Sequence, residues 1–175
     1  MDRVASLMGG KILSSITPVL CALLGVFIAN LPVSVTGGNV PPPLLGLMPV
    51  YFWCLVRPDL MSPAWAFLIG VSQDIFSAGP PGMWGIAFVA AYALVDRQRD
   101  AFAGLAGIGA MLGFATAALV ACTTAYFVVS ILEGHLQQIA PVLSELAVTV
   151  LFYIPGAYVL GAIHRQIVGP LRSDF

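Results

Sequence analysis

Apolar runs joined by short turns set the terms for this chain. They cover about residues 12–33, 44–56, 63–77, 83–95, 102–131 and 142–163, and short segments rich in Gly, Pro and polar residues connect them. Water is the wrong solvent for such a pattern. Hydrophobic residues make up 59% and charged residues 9%, with a mean hydropathy of +0.97, whereas a soluble domain carries roughly 25% charged residues. The expected fold is therefore one all-α integral membrane domain over residues 1–175, with six transmembrane helices and no soluble domain beside them.

The basic residues set an orientation. All seven (Arg3, Lys11, Arg57, Arg97, Arg99, Arg165 and Arg172) fall at the termini or in the second and fourth connections, and the first, third and fifth connections carry none. By the positive-inside rule both termini and the even connections are cytoplasmic, which requires six spans, including the short second one. That second run either forms a re-entrant hairpin or extends into the prolines before it. The first run contains Pro18 as a kink site, is too long for a signal-peptide core and is followed by no A-x-A site. It reads as a helix.

Ser62-Pro63 is a helix start, a hydroxyl N-cap followed by proline at the first helical position. The run from 102 is long enough to tilt or to break at its glycines. Asp96 to Asp100 reads as a charged loop, and Glu145 falls in the first turn of the last helix, where a carboxylate complements the helix dipole.

Several function classes are disfavoured. A net charge of −1 and no basic run give no electrostatic footprint for nucleic acid. Cys21, Cys54 and Cys122 sit in apolar runs without metal-like spacing and read as packing residues. An intramembrane aspartyl protease needs two aspartates near mid-membrane, and only Asp74 lies within a run. His135 lies in an outer connection and His164 at the inner end of the last helix, out of reach as a general base for a serine nucleophile. No His, Cys and carboxylate cluster suggests a metal, so no cofactor is expected and an enzyme is the weaker reading.

The most informative passage is Gly70 to Gly82, where one carboxylate and a Pro80-Pro81-Gly82 break interrupt apolar sequence. On the charge topology Asp74 lies about one turn from the outer end of the third helix, where burial costs less than at mid-depth. Two roles stay open for it: accepting hydrogen bonds from the following turn or the start of the fourth helix, or binding something. Arg57 and Asp59 form a second candidate pair, in an inner connection. Gly109, Gly113, Ala117, Ala121 and Ala125 recur every fourth residue, a groove for close helix packing within the bundle or against a partner.

Arg57-Pro58 after a short second helix, then Gly70, Gln73-Asp74-Ile75-Phe76, and Pro81-Gly82-Met83 before the fourth helix, together resemble the bacterial rod shape-determining MreD family. Gln73 before the aspartate and the doubled proline depart from the usual pattern of that family. The resemblance implies a non-catalytic subunit of the bacterial inner (cytoplasmic) membrane in the cell-elongation complex. Such a subunit docks MreC and supports lateral peptidoglycan synthesis and rod shape, with RodA, a penicillin-binding transpeptidase and MreB as further partners and membrane lipid around it. MreD proteins are similar in fold to the substrate-capture subunits of energy-coupling-factor vitamin transporters. Such a capture subunit is the second function the sequence admits.

Overall fold

The computed structural model describes residues 2–31, 41–103 and 107–168, with side chains for 14–31, 41–101 and 107–168. The elements among them are all helical: α1 Asp2–Ala29, α2 Leu47–Val56, α3 Pro63–Ser77, α4 Met83–Arg97, α5 Arg99–Ala103, α6 Ile108–Glu133 and α7 Ile139–Ile163, with a π-turn over His164–Val168 continuing α7. By length and composition, two segments could cross a membrane, Ile108–Glu133 and Ile139–Val168. Their outward faces carry Leu119, Phe127, Leu151 and Val159 in the open, which is the ordinary state for a helix in lipid.

Several boundaries differ from the sequence expectation. Helix α1 begins near the N-terminus, at Asp2, and stops at Ala29. The Asn30 amide ends it by donating to the Val26 carbonyl at 2.8 Å, and residues 32 and 33 of the expected helix lie outside the described residues. The run from 102 is not one helix: α5 ends at Ala103, and Gly107 takes φ +58°, a left-handed conformation that breaks the run before α6. The charged loop from Asp96 is mostly helical, because α4 continues to Arg97 and α5 begins at Arg99, with only Gln98 as a hinge. Helix α7 starts at Ile139, so Glu145 lies about two turns inside it rather than in its first turn.

The second run is the core. Helix α2 spans ten residues, of which Leu47, Met48, Val50, Tyr51, Trp53 and Cys54 are buried among its neighbours. Tyr51 meets Phe114 of α6 and Tyr153 of α7 edge-on, at 5.4 and 5.8 Å, and those two rings stack at 4.3 Å. The expected helix over 44–56 is shorter at its start, because residues 41–44 are non-helical. Non-helical backbone inside such a bundle needs a partner for each amide. The Leu44 N–H finds one in the Thr149 hydroxyl of α7, at 2.9 Å. Thr149→Val keeps the shape and removes that acceptor, so it should destabilise the fold by about 1–3 kcal/mol while Thr149→Ser stays near wild type, as read by unfolding in detergent.

The bundle has two distinct ends. Asn30, the α3–α4 turn and the α6–α7 turn share one, since Asn30 bonds Gln73 and a single cavity is lined by Met83, Trp84 and His135 to Gln138. Arg57, α5 and the π-turn share the other, where α2 packs on α5 and the Phe52 ring meets His164 at 6.1 Å.

Candidate functional site

Helix α3 is set by its start. Ser62 has extended backbone angles and its hydroxyl accepts from the Trp65 N–H at 3.4 Å, with Pro63 opening the helix. Gly70 and Asp74 then fall four residues apart and so share one face. Both face the first turn of α4. A methyl group at Gly70 would lie 2.3 Å from the Trp84 carbonyl oxygen and 2.7 Å from the Gly85 Cα, so the two backbones touch there.

One turn on, Asp74 closes the N-terminus of α4. Its Oδ2 accepts from the Gly82 N–H at 2.8 Å and, at the 3.5 Å limit, from the Gly85 N–H. Its Oδ1 accepts from the Trp84 N–H at 2.9 Å. The Met83 N–H goes to the Pro80 carbonyl at 3.2 Å and the Ile86 N–H to Gly82 at 2.9 Å, so no donor of the first turn is left over. This is an N-cap supplied by the preceding helix. The residue in the cap position, Gly82, has φ +89° and no side chain to do the work. Asp74 is only 3% exposed, and the positive end of the α4 dipole offsets its charge.

Gln73, 1% exposed, accepts from the Asn30 amide at 3.3 Å and so ties α3 to the end of α1. Pro81 stands exposed in the turn itself. Of the residues proposed from sequence, Gly70, Gln73, Asp74, Pro81 and Gly82 thus come together as one junction of α1, α3 and α4.

Arg57 and Asp59 do not join them. They sit before Pro63, roughly 16 Å of helix away from Asp74 at about 1.5 Å per residue. The guanidinium grips the carboxylate with two bonds, Nε to Oδ1 at 2.9 Å and Nη2 to Oδ2 at 2.8 Å, across the Pro58 turn. These bonds and the positive charge of Arg57 hold the Asp59 carboxyl below its usual value. A lowered value means that the pair contributes above the ordinary carboxyl range and fades as pH falls through the lowered one. With Asp59 45% exposed, the contribution is below about 1 kcal/mol.

The small-residue series on α6 faces inward. Gly113, Ala117, Ala121 and Ala125 are buried and Gly109 half-buried, with α4 as the principal neighbour of α6. Ala125, at its end, also lines a cavity between α4, α6 and α7. Sequence reasoning missed Asn30 and Thr149, whose only signal is an amide or hydroxyl in an apolar run, and it missed the space lined by Glu145. Among the described residues no group of three or more His, Cys, Asp or Glu is placed to hold a metal ion. Comparison with family models, with curated proteins and with solved structures finds no match to this chain.

Proposed function

We propose that the chain is a non-catalytic, six-span subunit of the bacterial inner membrane with both termini cytoplasmic, acting in the cell-elongation complex as MreD proteins do and docking MreC. The carrying observation is the engagement of Asp74. Asp74 is only 3% exposed and both its oxygens are engaged by the first turn of α4, so it serves that turn in preference to a ligand from outside. The most distinctive passage of the sequence is an architectural tie, which suits a docking platform better than a reaction centre.

One further feature supports the topology. Arg57, Arg97, Arg99 and Arg165, the arginines with described side chains, lie at the end of α2, on both sides of the α4–α5 hinge and in the π-turn, as the positive-inside rule asks of a cytoplasmic face. The second span is composite. Ten helical residues at about 1.5 Å each cover about 15 Å of a hydrocarbon core of about 30 Å, and the non-helical residues 41–46, which include two hydrogen-bonded turns, precede them.

The tie leaves an apolar rim at the outer end of α3, where Ile75 is 74% exposed and Phe76 packs edge-on against Phe27 of α1 at 5.9 Å. We assign this rim to the transmembrane segment of MreC. The tagged protein should retain MreC of the same cell through purification from membranes, and a double Ile75→Ala, Phe76→Ala variant of unchanged melting temperature should lose most of it. Equal capture by that variant would remove the rim from the proposal. Failure of the wild type to retain MreC would remove the function.

A further inference from the structure

Glu145 has no structural work where it stands. It lies roughly 9 Å inside α7, beyond the first turn in which a helix N-terminus favours a carboxylate. Among the described residues it has no hydrogen-bond or ion-pair partner. A half-buried carboxylate in an apolar bundle is costly unless something answers its charge.

The space it lines is a cavity of about 560 Å³ between α4, α6 and α7, at the same end of the bundle as the Asp74 junction. Glu145, His135 and Gln137 line it together with Trp84, Tyr126 and Met83, and no Lys or Arg does. Its wall is held in place. The Tyr126 hydroxyl donates to the Gln137 carbonyl at 3.3 Å, and the Gln137 amide donates to Glu133 at 2.5 Å. The volume falls in the range of small-molecule sites, about 300–1,000 Å³.

A carboxyl group without a protein partner beside indole and phenol rings favours a positive ligand with a carbon shell, whose charge would hold it ionised. Aromatic faces attract cations, more strongly where water is excluded. An anion would meet no Lys or Arg in the lining, only His135, whose ring already lies against Glu133, and a neutral apolar ligand would leave the carboxylate without a counter-charge. We propose that this cavity binds a small organic ammonium ion, with Glu145 as its counter-charge and Trp84 and Tyr126 as its aromatic walls. The site shares no residue with the Ile75 and Phe76 rim, so it stands or falls independently of the docking of MreC.

The full chain, purified in detergent, tests it with choline and with 3,3-dimethylbutan-1-ol, which has the same shape without the charge. Calorimetric titration should show choline binding at least tenfold more tightly than the neutral isostere. Glu145→Gln, monodisperse and folded, should weaken choline at least tenfold, and Tyr126→Leu should weaken it with Glu145 intact. Asp59→Asn, at the opposite end, should leave binding unchanged. The proposal fails if the folded wild type binds no choline up to tens of millimolar, if the isostere binds equally, or if Glu145→Gln leaves affinity as it was.

Discussion

Gly70→Ala should destabilise the protein by about 2–4 kcal/mol, more than an alanine at any neighbouring glycine. Glycine inside a helix ordinarily gives up about 1 kcal/mol relative to alanine, so without tertiary contact the change would stabilise. Contact reverses the sign. The new carbon would sit 2.3 Å from the Trp84 carbonyl oxygen and 2.6 Å from its carbon, and both are backbone atoms that move only if α4 moves. At Gly85 the nearest atom is the Phe67 ring at 3.0 Å, a side chain able to turn. Gly85→Ala should therefore fall within about 1 kcal/mol of wild type. Chemical unfolding in detergent, followed by tryptophan fluorescence, would rank the two. A Gly70→Ala protein as stable as wild type would mean that α3 and α4 do not need this approach.

What the sequence revealed follows the range of the interactions. Ser62-Pro63 is legible because an N-cap uses its own neighbours, the hydroxyl reaching the N–H three residues on. The two segments long and apolar enough to cross a membrane, Ile108–Glu133 and Ile139–Val168, are equally legible, since hydropathy sums over every residue. The core role of α2 is not. Its entry amide is satisfied by Thr149, 105 residues away, and hydropathy reports burial without saying against what. The break at Gly107 is hidden for another reason. Gly107, Gly109 and Gly113 all stand in the described part of that run, and among them only Gly107 has a positive φ. Asp74 lies between: Gly82, Trp84 and Gly85 are 8 to 11 residues on, so a local hydrogen bond is a natural guess. Whether the carboxylate turns toward those amides or away depends on how α3 packs on α4.

Asp74→Ala should cost about 2–4 kcal/mol, since it leaves the Gly82 and Trp84 amides, and the longer bond from Gly85, without an acceptor in a buried junction. Asp74→Asn keeps one carbonyl oxygen and should cost about half as much, its NH2 group replacing the second acceptor with a donor. A local cap cannot rescue the alanine variant. Gly82 sits at φ +89°, where a serine or aspartate would be strained, so the acceptor must come from α3. Stability and function separate the two roles of Asp74. If the carboxylate is a tie, the proposed capture of MreC and support of rod shape should fall with the amount of folded protein, with Asn above Ala. If it serves a bound ligand, Asn should abolish function at nearly wild-type stability. An alanine variant that unfolds at the same denaturant concentration as wild type would show that the α4 N-terminus finds other partners, and the structural account of the Gly70 to Gly82 passage would fall with it.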